Sequence, residues 1–339
     1  MEMLCCPECG SDLQLTDPSF DTGEVVSGAL RCTACPRSFP IREAVPRFVD
    51  SETYGDSFGV QWNAFPTVQH DAGSLRESEG RFDTETGLSA VHLAGKTILE
   101  VGSGNGRFVD VVARRGAALV VGVDLSRAVD AAQRRFGGLP NVGFVQADVF
   151  RLPFRNESYD HAYSIGVLHH TPDPRKAWLR ILPVVKAGGR VCVSVYDLSL
   201  QVRGSEEGPR VALAGVGWAI NTLRAETFRW LASRLPRRLW LWYCRRVVPW
   251  LHALNKVPGL RIVRYALPST CYAHLPREWS VLDTYDTYAT KIVHRFSPKQ
   301  VFAWYRGEGL EAIEVHDSRT GWTSVSGQKP ATPVPPPPR

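Results

Sequence analysis

Three glycines at alternate positions, Gly102, Gly104 and Gly106, stand between an apolar run, Thr97 to Val101, and a helical pattern that begins at Phe108. Without Cβ atoms, a strand-to-helix turn can bend tightly and let a ligand approach its N–H groups. Glu100 precedes the first glycine, and Ser103 separates the first two. Two further apolar runs, 118–124 and 142–148, end in Asp124 and Asp148. A carboxylate at the end of the strand after the glycine turn can accept both hydroxyls of an adenosine ribose, and Asp124 has that position. Leu125 and Ser126 follow it and open the next helix. Taken singly, either acid could be a plain helix N-cap. A dinucleotide fingerprint wants its third glycine one residue later, where Arg107 stands, so nicotinamide chemistry is disfavoured.

A second constellation lies at the N-terminus. Cys6-Pro-Glu-Cys9 and Cys32-Thr-Ala-Cys35 are two Cys-x-x-Cys knuckles separated by 22 residues. Four thiolates so spaced suit a closed tetrahedral Zn2+ site, structural because no position is left open. Cys5 would pair with Cys9 at one residue too many and is left out. Between the knuckles, 12–15 and 28–31 read as a short hairpin. So small a segment cannot build a sufficient core, so metal would supply its stability.

The elements that must carry these residues alternate between strand and helix. Strands are expected at 97–101, 118–124, 142–148, 161–166 and 190–196, with helices at 128–136 and 173–185. The second helix should stop at Lys186-Ala-Gly-Gly189. Ser297-Pro298 opens another helix, with Ser as N-cap and Pro at the first position. Two further strands, 310–315 and 321–326, follow it. This alternation predicts an α/β, doubly wound, mainly parallel sheet with ligands outside the carboxyl ends of its strands.

The chain has 339 residues, 44% of them hydrophobic, and a net charge of +6, which permits a nucleic-acid partner without demanding one. No run of about 18 uncharged apolar residues reads as a membrane span. The N-terminus has no signal-peptide pattern, and a cytoplasmic protein is expected.

Glu100-Val-Gly-Ser-Gly-Asn-Gly106 resembles the first motif of class I S-adenosylmethionine (SAM)-dependent methyltransferases. Leu152-Pro-Phe154, Tyr159-Asp160 and Leu168-His-His170 resemble the corresponding run of small-molecule enzymes related to the ubiquinone and menaquinone methyltransferases, with Tyr159 where Phe is commoner. The resemblance implies a Rossmann-like seven-stranded methyltransferase sheet with an antiparallel edge. It implies SAM at Glu100, Gly102, Ser103, Gly104, Gly106, Asp124, Leu125 and Ser126. It gives the adenine amino group to Asp148 and the ring to Val149. Ser164, Ile165 and His169 would approach the methionine part of SAM and the acceptor. Residues 58–82 resemble a leader that lies near the ligand in such enzymes, which brings in Gln61, Trp62 and Arg81. The segment 38–48 resembles zinc-ribbon modules that precede some methyltransferases.

A hydroxyl acceptor benefits from a base, and His169 or His170 is the first choice, against the alternative that each only packs against the pocket. Tyr54, Phe58, Trp62 and Phe65 recur at helical spacing and mark a packed helix or a lid. The stretch 198–290 interrupts the fold with six of the ten tryptophans, and 209–233 and 236–255 read as helices rich in arginine. Three readings stay open: a cap over the substrate pocket, an amphipathic surface on an anionic membrane, or a dimer face. The stretch 279–286 is rich in groups that can bind hydroxylated substrates and resembles the tail of such caps in methyltransferases of surface-glycan and secondary metabolism, and His274, Asp283 and Tyr285 are pocket candidates.

The expected organisation is a ribbon at 1–50, a helical lead-in at 51–95, a SAM-binding core at 96–197, the insertion at 198–290, completion of the sheet at 291–327 and a Pro-rich tail at 328–339. The expected function is methyl transfer to a small-molecule, glycan or lipid-linked acceptor. RNA methylation is the rival supported by the ribbon, weakened because Ile165-Gly-Val-Leu168 replaces the Pro-Pro-Tyr/Phe signature of amino-methylating enzymes. A non-enzymatic SAM-binding scaffold is the rival from another class.

Overall fold

A computed structural model describes residues 2–49, 56–71, 73, 75–198, 223–257, 259–260, 266–272, 274–316 and 321–331. Four antiparallel strands come first: β1 (Leu13–Asp21), β2 (Glu24–Cys32), β3 (Ser38–Arg42) and β4 (Val45–Pro46). The hairpin between the cysteine knuckles is thus longer than its apolar residues foretold. Its outer half, Pro18 to Val25, is largely exposed, and an exposed strand lacks the alternation that reveals a half-buried one.

Helices α1 (Asp56–Ala64), α2 (Glu77–Thr86) and α3 (Ala90–Leu93) lead to the large sheet. That sheet interleaves β5 (Thr97–Val101), α4 (Arg107–Arg114), β6 (Leu119–Asp124), α5 (Ala128–Phe136), β7 (Val142–Gln146), β8 (Tyr159–Ile165), α6 (Pro174–Ile181) and β9 (Val185–Tyr196). The strand order is β10-β11-β9-β8-β5-β6-β7, where β10 is Glu311–His316 and β11 is Trp322–Gln328. Strands β5 to β9 pair in parallel, whereas β11 runs antiparallel to both β9 and β10. This is the seven-stranded, doubly wound sheet expected, with its antiparallel edge. The parallel strands are buried on both faces, which is why they read as continuous apolar runs.

Two expected boundaries move, both at a proline. The helix expected to reach Val185 ends at Ile181, and Lys186 to Gly189 lie inside β9. Pro183 has no N–H to continue the ladder, so the chain tightens into a 3-10 turn over Leu182–Val184. In the insertion, α7 is helical over 223–232, and the single helix expected over 236–255 is split into α8 (Arg237–Arg246) and α9 (Val248–Asn255). Pro249 sits in the first turn of α9, where its missing N–H costs nothing. Helix α10 (Arg277–Ala289) closes the insertion. Helix α11 (Pro298–Gly307) then opens with a complete capping box between Ser297 and Gln300. Tyr54, Trp218, most of the first insertion helix and most of the Pro-rich tail lie outside the described residues.

The ribbon shares a core with the sheet. Leu4, Leu30, Phe39, Ile41 and Phe48 join the cluster that includes Leu99, Val121, Val145 and Trp178. Backbone bonds stitch the seam: Cys5 N–H to the Pro153 carbonyl at 3.0 Å and Phe48 N–H to the Gln146 carbonyl at 2.8 Å. Arg47 lies beneath it, donating to Gln146 Oε1 and Asp130 Oδ1 at 2.8 Å each. No helix among the described residues is long and apolar enough to cross a membrane.

Candidate functional site

The glycine turn is built as its spacing demands. Gly102 and Gly104 have φ of +83° and +53°, where a side chain strains the backbone. A Cβ on Gly102 would also fall 2.3 Å from Val167, and one on Gly104 3.0 Å from the Trp62 indole nitrogen. The turn therefore lies directly beneath the lead-in helix α1. It forms one wall of a cavity of ≈ 660 Å³ at the carboxyl ends of β5, β6 and β8.

Glu100, Gly102, Ser103, Gly104, Asp124, Leu125, Val149 and Ile165 line this cavity, as do Gln61, Trp62 and Arg81 of the lead-in. Asp124 accepts from the Gly104 N–H at 2.9 Å and from the Ser126 N–H and hydroxyl at 2.8 Å each. Ser126 is thus a support for Asp124, absent from the wall. Burial raises the Asp124 carboxyl above its ordinary range. Tyr163 donates to Glu100 at 3.0 Å. Ser164 donates to the Val101 carbonyl at 2.8 Å and is not among the lining residues. Gly106 caps α4 behind the turn. Asp148 is the N-cap of the 3-10 turn over Val149–Arg151, accepting from Phe150 N–H at 3.0 Å, and only Val149 reaches the wall. These residues fit an adenosyl ligand: Ser103 Oγ is buried on the wall without a hydrogen-bond partner among the described residues.

The two histidines separate. His170 lines the cavity, and its Nδ1 donates to the Ile292 carbonyl at 2.9 Å. Burial pushes it down to about 4, so it is neutral near pH 7. His169 lies behind the wall, its ring centroid 3.9 Å from Tyr196 and 4.0 Å from His170. Neither of its nitrogens has a partner among the described residues, and burial holds it neutral. It is not among the residues that line the cavity.

The opposite wall comes from the insertion. Asp283 and Asp286, three residues apart on α10, both face the cavity with Trp279. Tyr285 points the other way, into the insertion's own core with Trp240, Cys244 and Val248. Two residues along a helix turn the side chain by about 200°, so Asp283 and Tyr285 could not share a pocket. Asp283 accepts from Gln69 Nε2 at 2.6 Å and from Tyr272, and Asp286 accepts from Gln61. Burial and the neighbouring carboxylate raise Asp283 to about 7, while burial raises Asp286 to about 6. Arg81, Arg107, Arg229 and Arg295 complete a mixed-charge wall, with Tyr196 and His274. Arg107 donates to Ser78 Oγ at 2.8 Å and Gln69 Oε1 at 3.2 Å, and burial lowers its pKa to about 9.

Far from this cavity, Cys6, Cys9, Cys32 and Cys35 bring their sulfurs within 4.8 Å of one another. Cys6–Cys35 and Cys9–Cys32 are 3.7 and 3.4 Å apart. Sulfurs at about 2.3 Å from a tetrahedral zinc are about 3.8 Å apart, so the cluster fits the ion. Cys5 belongs to the seam with the sheet.

Residues 99–193 match the family model described as a methyltransferase domain, and residues 1–43 match that of a Trm112p-like protein. The chain is 32% identical over 124 residues to O-methyltransferase resE of Aspergillus sclerotiorum, covering 35% of this chain and 46% of that protein. It is 35% identical over 106 residues to the demethylmenaquinone methyltransferase of Clavibacter sepedonicus, covering 31% and 43%. The chain spans about half the length of the curated relatives it matches. A SAM-dependent methyltransferase structure from Mesorhizobium loti superposes with a TM-score of 0.40 at 17% identity, covering 70% of this chain and 93% of that one. The protein thus carries a class I SAM-dependent methyltransferase domain behind an N-terminal Trm112p-like zinc-ribbon module.

Proposed function

We propose that this protein transfers a methyl group from SAM to a small-molecule, glycan or lipid-linked acceptor held between the sheet and its helical insertion. The observation that carries this reading is the single cavity walled on one side by the glycine turn and Asp124 and on the other by α10. In this reading Asp124 takes the ribose hydroxyls, Val149 lies along the adenine, and the turn at Gly102–Gly104 admits the methionine part. Bound SAM supplies an electrophilic methyl on a sulfonium, so the chain's task is to align a nucleophile and exclude water.

Asp283 is the better-placed proton acceptor for a hydroxyl nucleophile. It faces the cavity, its raised pKa lies near neutrality, and Gln69 and Tyr272 hold it in place. His170 contributes a wall, and His169 the packing behind it. An RNA acceptor is less favoured, because Ile165-Gly-Val-Leu168 stands where amino-methylating enzymes carry Asn/Asp-Pro-Pro-Tyr/Phe. The test is methyl incorporation from labelled SAM into phenolic, glycan and isoprenoid-lipid acceptors, with RNA in parallel. Transfer to one of the first three supports the reading, and transfer to RNA alone would refute it.

A further inference from the structure

The outer face of the insertion carries an arrangement that methyl transfer does not use. Helices α7 to α9 and the turns between them expose Trp230, Leu235, Leu239, Trp242 and Trp250, with Trp242 56% and Trp250 74% accessible. Leu239, Trp242 and Arg246 of α8 follow at intervals of three and four and so share one face. Residues 223–257 hold seven arginines and Lys256 against a single acid, Glu226. The ion pairs described in this region include Arg229 and Arg295 with Glu226, and Arg277 with Glu278. They leave Arg238, Arg245 and Arg246 unneutralised among the described residues. Beside Trp250 lies a second cavity, ≈ 380 Å³, whose wall includes Arg245, Arg246, Phe65 and the Arg277–Glu278 pair. Arg245 is anchored there, donating to the Ala64 carbonyl at 3.1 Å and lying 5.2 Å over the Phe65 ring.

Exposed tryptophan and leucine interleaved with arginine suit the boundary between lipid headgroups and acyl chains. Nucleic acid would use the tryptophans for stacking but has no use for the leucines. We propose that this face lies on an anionic phospholipid surface, with Arg245 and Arg246 at a lipid phosphate and Leu239, Trp242 and Trp250 among the acyl chains. This does not depend on the identity of the methyl acceptor.

The full chain should sediment with vesicles of phosphatidylcholine mixed with phosphatidylglycerol, not with phosphatidylcholine alone, and salt should release it. The double variant Arg245→Glu with Arg246→Glu should lose at least about tenfold in partitioning. A second variant, Trp242→Ser with Trp250→Ser, should lose binding at every salt concentration. Unchanged SAM binding in both controls for folding. Absence of sedimentation with the mixed vesicles, or sedimentation that neither variant weakens, would overturn the proposal. So would a single-stranded RNA that displaces the protein from the vesicles through the same residues.

Discussion

The ribbon and the helical insertion are both additions to one sheet, yet they attach in opposite ways. The ribbon joins through backbone hydrogen bonds, a buried Arg47–Asp130 pair and an apolar core continuous with β5, β6 and β7. The insertion keeps a small core of its own around Trp240 and Tyr285, and presents polar groups to the cavity. The contrast separates two tasks. An addition that shares a core stabilises the sheet, whereas one that shares only a cavity can change its side chains without disturbing the fold.

Zinc removal should break the comparison most visibly. A structural zinc contributes about 10–16 kcal/mol in small ribbons, so chelation, or Cys6→Ser with Cys9→Ser, should unfold the ribbon and bare the sheet-facing side of Leu4, Phe39 and Phe48. The melting temperature of the whole chain should fall, and amide exchange should speed up in β7. Exchange that changes in the ribbon alone would mean that the two cores are independent. Arg47→Ala is the milder version. It removes the buried partner of Asp130 and leaves it the exposed Arg127 at 3.0 Å, so urea unfolding should show a loss smaller than the about 3–5 kcal/mol of a fully stranded charge.

Substitutions in the insertion should act on activity instead. With a hydroxyl acceptor, Asp283→Asn should lower turnover by about 10²–10⁴-fold. The sign of the pH profile follows from the raised pKa. Asp283 accepts a proton only when ionised, so wild-type turnover should rise through about pH 7, and the variant should lose that limb. A profile unchanged in the variant would remove Asp283 from the chemistry. Tyr285→Phe should do least. Its hydroxyl is buried with no partner among the described residues and lies off the cavity, so stability should hold or rise, by no more than about 1–3 kcal/mol, with the KM for the acceptor unchanged.

The sheet was the most legible part of the sequence. Thr97–Val101 and Ala128–Phe136 appear with the bounds expected, because apolar runs ended by Gly or Asp leave little freedom at their ends. Helix ends near Pro183 and Pro249 were misplaced because periodicity was allowed to override proline. The cofactor wall could be read because one loop and two strand ends supply much of it. The acceptor wall could be read only at His274 and Asp283. Tyr272, Asp286, Arg229 and Arg295 reach it from four places in the chain, and no local spacing announces them. In the sequence Arg107 marks only the break in a dinucleotide fingerprint, whereas in the structure it lines the cavity and braces Gln69. Its signal was its place immediately after the third glycine, at the first turn of α4.

The most direct test of the account is calorimetric titration of the purified chain and its Asp124→Ala variant with SAM, S-adenosylhomocysteine and NAD. The account predicts micromolar binding of the first two and none of NAD by the wild type, with binding lost in a variant that remains folded. Failure of the wild type to bind either adenosyl ligand, or an affinity untouched by Asp124→Ala, would contradict it.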